Sequence, residues 1–440
     1  MFTPQTEQDK QEMLQALGVS SVKDLLTISP DLLYPALDLP NALTEQELAA
    51  HMQELASKNK PLKNFIGAGC YEHFIPAAVP ALSSRGEFLT AYTPYQAEAS
   101  QGTLQTIYEF QSAICALFDM DVATASHYDG ATAMTEAALA CHRITNRTEI
   151  IISSWLHPHY KEVLKTYTQH LGLIIKEAKS TSAGTLDVEA LKAQLSDQTA
   201  CVVLPNPNFL GYLEEVDTIS QITHEAGALL VAVVNPISLG VLKTPGAYGA
   251  DFAVAEGQCL GNPMSFGGPG LGIMTAKKAY VRQLPGRIVG IAKDHDGRRA
   301  FVLTLQAREQ HIRREKASSN ICSNEAICAL NAVIYLTLLG PKGLQEVAEL
   351  NVERAHQLAD KISQVKGFEV ETKSPFFNEF VVICPIPAGQ VIEKLAQKGI
   401  GAGYNLNRAD KTKHNRLLVC ATEMRSEKDI QAYVDALGEI

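Results

Sequence analysis

The sequence predicts an α/β protein with a large, mainly parallel sheet, a helical arm before it and a smaller α+β unit after it. Three observations carry this reading. Between about residues 130 and 275, short β-branched runs alternate with helical periodicity, the pattern of strands that are each followed by a covering helix. Residues 1 to about 60 hold only short helical stretches divided by turn signals. Beyond Gly340-Pro341, strand-like and helix-like runs resume on a smaller scale.

Taken in order, the arm reads as helical stretches at Glu7 to Leu17, Ser21 to Leu26 and Thr44 to Lys58, punctuated by Ser29-Pro30 and Leu39-Pro40. The sheet follows, with strands at Glu149 to Ser153, Leu173 to Ile175, Ala200 to Leu204, Leu229 to Val234 and Phe252 to Ala255, and helices between them. Strands in such an alternation run parallel and are covered on both faces. After a glycine cluster at 267 to 272, a helix from Ser323 to Leu339 leads to Gly340-Pro341, a hinge signal. The last unit reads as strands at Glu379 to Cys384 and Arg416 to Cys420, with helices at Ala388 to Lys398 and Glu427 to Leu437. Ser426 opens the final helix, with Asp429 three residues on. The expected organisation is an arm at 1–60, a large α/β domain at 61–320, a linking helix at 321–340 and a small α+β domain at 341–440.

Composition narrows the function classes. A chain of 440 residues that is 46% hydrophobic can fill a substantial core. A net charge of -10 opposes phosphate backbones, and Arg308 to Lys316 is the only dense basic stretch, so nucleic acid is not an expected partner. Nine scattered cysteines, with no CxxC pair, fit a reducing compartment. The start is polar and acidic without signal architecture, and no run approaches the roughly 18 apolar residues of a membrane span. A cytoplasmic protein without a membrane partner is expected.

Several signatures drop out. Gly67-Ala-Gly69 has no third glycine after a strand, and no glycine loop ends in Gly-Lys-Ser/Thr. His157 and His159 flank Pro158 without further clustered ligands, so no metal site is expected. Cys70 and His73 are close in sequence, but a nucleophile needs its base close in space. Two segments say more. His127 to Ala133 leads into a helix from Met134 to His142, and is either an anion cradle at the positive helix end or a turn capped by Asp129 or Thr132. Glu256 to Gly270 is a glycine-rich loop closing the strand series, where open parallel sheets hold ligands; its glycines would equally serve tight turns.

Long strings then carry a resemblance. Ala91-Tyr-Thr-Pro-Tyr-Gln-Ala-Glu-Ala-Ser-Gln-Gly102, Tyr128-Asp-Gly-Ala-Thr-Ala133, Pro285-Gly-Arg-Ile-Val-Gly290, Leu305-Gln-Ala-Arg-Glu-Gln-His-Ile-Arg-Arg314 and Ser319-Asn-Ile-Cys322 resemble the glycine cleavage system P-proteins, in their form as subunit 1 of the two-subunit bacterial type. The resemblance implies the fold type I architecture of pyridoxal phosphate (PLP) enzymes. It also implies that PLP is held on a lysine-bearing partner, subunit 2, whose motif is His-Lys-Thr-Phe-Ser-Thr-Pro ahead of a glycine-rich stretch. Laying Pro263 and Pro269 on its prolines puts Gln258 at the lysine position. A carboxamide nitrogen is delocalised and cannot form the Schiff base. Asn235, after the strand ending at Val234, takes the place of the acid that partners the pyridinium nitrogen in relatives. His157 stands where relatives place a residue stacking on the cofactor, or else caps a turn. Lys277 and Lys278 read as solvated surface.

By resemblance, the complete enzyme decarboxylates glycine and passes the aminomethyl group to the lipoyl arm of H-protein, with no catalytic residue supplied by this chain. Its expected contributions are Tyr92, Tyr95 and Gln96 near the substrate cleft, and Ser319, Asn320 and Ser323 as contacts to partner-bound PLP. Each set also has a plainer reading, as aromatic interface core and as helix cap. Arg308, Arg313 and Arg314 with His311 either attract the H-protein or form a solvated or internally paired face. A stand-alone PLP enzyme and a non-catalytic scaffold of the same fold are the alternatives.

Overall fold

The computed structural model describes residues 4–29, 32, 38–89, 92–371 and 373–440, so Pro30 of the expected Ser29-Pro30 turn and Ala91 lie outside the described residues. The chain divides after Lys60 into two units. Within the first, helices Glu7–Ala16 and Glu45–Ser57 and a 3₁₀ turn at Val22–Leu25 each open on a capping box: Thr6 with Asp9, Thr44 with Glu47, Ser21 with Asp24. Leu17, Leu25, Leu48 and Met52 remain exposed.

The second unit is built on a seven-stranded sheet. Its strands are β1 (Val122–Ala123), β2 (Glu149–Ser153), β3 (Ile174–Ala178), β4 (Thr199–Asn206), β5 (Leu229–Val234), β6 (Phe252–Glu256) and β7 (Gly272–Ala276). They lie side by side as β3-β2-β4-β5-β6-β7-β1. From β3 to β6 all pairings are parallel; β7 runs antiparallel to β6, and β1 antiparallel to β7. Alternation places both faces of the sheet in a core. Leu230, Ala232 and Val234 of β5 pack with Phe110, Ile114 and Tyr335, whereas Val231 and Val233 pack with Ala137, Ile152 and Phe252.

The expected strands at 149–153 and 229–234 are found at those bounds, and the others of this sheet shift by one to three residues. Sequence periodicity missed β7, which opens on Gly272 behind a glycine-rich loop, and the hairpin Ile288–Lys293 with Arg299–Thr304, whose first strand Gly290 interrupts. The stretch Ala326–Ile362 is two helices that meet at a kink at Gly340-Pro341, where the sequence places its hinge signal. Gly340 leaves helical angles (φ 60°, ψ −178°), ending the first helix, and Pro341 starts the second, where its missing N–H is no loss. By length and composition this stretch could cross a membrane. Its buried residues instead pack on helices Gln101–Phe118 and Ala78–Ser83 and the 3₁₀ turn Pro236–Gly240.

The small lobe is a four-stranded antiparallel sheet, ordered Glu369–Val370, Glu379–Ile383, Arg416–Cys420, Tyr404–Asn405, with helices Ala388–Gln397 and Glu427–Gly438. Lys63–Asn64 pairs in parallel with Ile400–Gly401, so the chain visits this lobe before it builds the large sheet.

Candidate active site

The chain reverses its direction of travel across the sheet between β2 and β4, and ligands of open parallel sheets sit at such a switch point, outside the strand C-termini. A cavity of about 570 Å³ opens there, lined among others by His157 after β2, Phe209 after β4, Asn235 after β5, Glu256 at the end of β6, and Tyr71 and Glu379 from outside the sheet.

Gln258 lies two residues beyond β6 and is buried. Its Oε1 accepts the Tyr71 N–H (3.0 Å), and its Nε2 donates to the carbonyls of Tyr71 (3.1 Å) and Asn262 (2.7 Å). The side chain thus pairs with a backbone segment as another peptide unit would, using donor and acceptor together. Lysine has no acceptor to offer there. Asn235 also serves the local backbone: its Oδ1 accepts the Ile237 N–H (3.0 Å) and caps the Pro236–Gly240 turn.

The helix Gly130–Thr145 starts beside this cavity, with Asp129 as its N-cap. Asp129 Oδ1 accepts the Thr132 N–H (2.7 Å), while Glu256 Oε2 accepts the Gly130 N–H (3.0 Å). Glu256 Oε1 also takes the N–H groups of Leu271 (2.8 Å) and Gln258 (2.9 Å). Of the two sequence readings, the capped turn is the one realised. A phosphate at this helix end would displace one carboxylate and face the other, so the anion cup is filled by the protein itself. With no amine at 258 and carboxylates on the Gly130 and Thr132 N–H groups, the residues of this chain do not fit PLP.

His157 caps helix Pro158–Thr168 by accepting the His159 N–H at Nδ1 (3.1 Å), and its Nε2 donates to the Ala68 carbonyl (2.9 Å). One neutral tautomer satisfies both bonds, and burial holds its pKa down to about 4. Its ring meets Phe209 edge-on at 4.9 Å. Glu379 reaches in from the small lobe, accepting the Ala68 N–H (2.6 Å) and the Tyr71 hydroxyl (2.6 Å). Burial pushes its pKa up to about 7. Lys277 is partly exposed, and its Nζ also donates to the buried Asp251 (2.7 Å) and to the Gly249 carbonyl (2.9 Å).

The second set of expected residues gathers around Arg287. Its guanidinium donates to the Cys322 carbonyl (2.6 Å), Asn324 Oδ1 (3.3 Å) and the Tyr95 hydroxyl (3.2 Å), and lies 5.5 Å from the Tyr95 ring centroid. Tyr128 donates no bond here but accepts the Cys322 N–H at its hydroxyl (3.1 Å), and Ser126 Oγ accepts from Asn324 and from the Glu325 N–H (both 3.1 Å). The 319–325 segment and the Tyr95 loop are therefore tied into one structure. Tyr92 and Tyr95 are 78% and 54% exposed and Gln96 is exposed, which leaves them open to another chain. Asn320 is exposed and Ser323 half-buried, whereas Ser319 turns inward, donating to the buried Glu136 and accepting the Ile321 N–H (3.1 Å). The basic group splits as well. Arg308 donates to the carbonyls of Leu305 and Gly286 (both 3.0 Å), and His311 lies against Cys322, leaving Arg313 and Arg314 exposed. Arg287, Glu256 and Glu379 went unread in the sequence analysis. Arg287 and Glu256 lay inside strings already singled out, but nothing local marks which partner each meets.

Residues 1–437 match the family described as glycine cleavage system P-protein. The chain belongs to that family. It is 50% identical over 441 residues to the probable glycine dehydrogenase (decarboxylating) subunit 1 of Moorella thermoacetica, covering 100% of this chain and 99% of that one. Against the protein of the same description from Chlorobaculum parvum it is 48% identical over 444 residues, with the same coverage. Among solved structures, a glycine decarboxylase (P-protein) of the glycine cleavage system in inhibitor-bound form superimposes with a TM-score of 0.92 at 44% identity, covering 100% of this chain and 99% of that one. A NifS-like protein gives 0.66 at 13% identity, covering 86% and 98%, a likeness of fold alone. The P-protein match agrees with the strand order and with the fold type I architecture expected from the sequence.

Proposed function

We propose that this chain is subunit 1 of a two-subunit, glycine-decarboxylating P-protein. In this reading PLP is carried by the lysine-bearing subunit 2, which supplies the electron sink for decarboxylation, and the aminomethyl group passes to the lipoyl arm of H-protein. The observation that carries the reading is Gln258, whose carboxamide is locked onto the Tyr71 backbone with Glu256 in the adjoining anion cup. This chain then contributes walls and positioning. The exposed Tyr92, Tyr95 and Gln96, with Asn320 and Ser323 of the pinned 319–325 segment, are the groups available to reach the partner's site. Ser319 contributes through Glu136, as a brace for that segment.

The test combines purified chain with the lysine-bearing partner and lipoylated H-protein and follows exchange of the glycine carboxyl with labelled bicarbonate. Exchange is expected only when both subunits are present. Exchange by this chain alone, with added PLP, would contradict the reading; exchange by the partner alone at an equal rate would leave this chain a scaffold.

A further inference from the structure

A second cleft, of about 590 Å³, lies on the far side of the wall from the strand-end cavity. Successive residues face opposite spaces: Leu156 and Phe209 line the strand-end cavity, while Trp155 and Leu210 line the cleft. Its other walls are the 181–184 turn and the small-lobe residues Glu371, Lys373, Lys413 and Arg416.

The charge here runs against that of the whole chain. Overall the protein carries -10, yet three cations meet one carboxylate in the cleft. Glu371 is already held by Arg416 Nε (2.8 Å) and Lys373 Nζ (3.1 Å). Asp410, in the same loop, accepts from the Thr412 N–H (2.9 Å) and hydroxyl (2.8 Å), and its charge also acts on Lys413 and Arg416, so the three cations outnumber the two acids by one. Lys413 Nζ has no carboxylate partner among the described residues and stands 6.0 Å from the Trp155 ring centroid. The Trp155 indole N–H, the Arg416 Nη groups and the Ser182 hydroxyl likewise make no hydrogen bond among the described residues. Uncommitted donors from two lobes thus converge on one concave space with a net positive field, and clefts of this kind concentrate small anions.

We propose that this cleft binds a small phosphorylated anion, held between Lys413 and Arg416 of the small lobe and Trp155 and Ser182 of the large one. The inference is independent of the function proposed above. A ligand there bridges the two lobes and touches the reverse side of the segments, 155–156 and 209–210, that wall the strand-end cavity.

Trp155 is the only tryptophan of the chain, so its emission reports the cleft directly. The full chain is titrated with inorganic phosphate and, separately, with adenosine monophosphate at constant ionic strength maintained with chloride. Equilibrium dialysis with labelled phosphate checks binding that leaves the emission unchanged. Saturable uptake is expected, weakened about tenfold or more in Lys413→Met, because charge-assisted hydrogen bonds to phosphate are the strong ones. Lys413 makes no ion pair among the described residues, so this variant is expected to fold, as circular dichroism would verify; Lys278→Met, outside the cleft, should bind normally. Tighter binding of the nucleotide identifies a ring-bearing ligand, and equal binding identifies phosphate itself; both support the site. Absence of saturable uptake in dialysis, or uptake unchanged in Lys413→Met, overturns the proposal.

Discussion

Replacing Gln258 by lysine tests whether a missing amine is all that separates this chain from a cofactor-bearing one. Sequence alignment alone would suggest that the substitution restores a Schiff-base site. The structure argues otherwise. Gln258 Oε1 is the acceptor for the Tyr71 N–H, and an ammonium cannot replace it, so a buried N–H loses its partner at a cost of about 1–3 kcal/mol. The carbonyls of Tyr71 and Asn262 can still accept from lysine, but the new amine sits at a position only 5% exposed, where desolvation favours its neutral form. A net loss of about 2 kcal/mol or more in unfolding free energy follows. The anion cup stays closed by Asp129 and Glu256, so no phosphate cofactor gains a seat. Urea unfolding gives the first quantity, and absorbance after incubation with PLP and gel filtration gives the second. A variant as stable as the native chain that retained cofactor absorbance would refute the argument, since it would mean that neither the Tyr71 pairing nor the filled cup excludes the cofactor.

Glu379 offers a pH test. Burial raises its pKa from 4.5 to about 7, so the folded state holds a proton that the unfolded chain releases between those values. Its contribution is complete below the lower value and falls as pH rises to the upper one, by at most about 1.4 kcal/mol per pH unit. Glu379→Gln stays neutral and should flatten this part of the stability-versus-pH curve in urea unfolding; Glu214, also raised to about 7 by burial, keeps its own share. An unchanged slope would show that Glu379 is not titrating in this window. Arg287→Ala removes the tie between Tyr95 and the 322–324 segment. Glycine-carboxyl exchange in the two-subunit complex should fall about tenfold or more, as misplaced positioning groups do, with Arg287→Lys intermediate and circular dichroism unchanged. Native exchange rates in Arg287→Ala would remove Arg287 from that role.

Much of the architecture was legible because sheet burial leaves a local record. The run Leu229–Val234 is apolar at every position, as a central parallel strand covered on both faces must be, and its bounds could be read directly. The capping box at Ser426 and Asp429 is likewise a short-range pattern, and it opens the last helix where expected. β7 left a weaker record. It runs antiparallel, begins with glycine and follows a glycine-rich loop, so its strand character depends on β6 beside it. Gly340-Pro341 is a local signal too, and non-helical angles at Gly340 divide two helices there.

The amino-acid order alone determined that residue 258 is a carboxamide and residue 235 another, and with that, that no lysine stands at the end of β6. Chemical identity needs no geometry. Only the tertiary structure decided what these side chains meet: the Tyr71 backbone comes from 187 residues earlier to pair with Gln258, and Glu256 meets a helix start 126 residues before it. Such meetings are set by how strands order themselves across a sheet, and strand order depends on contacts between distant segments that no local window of sequence records.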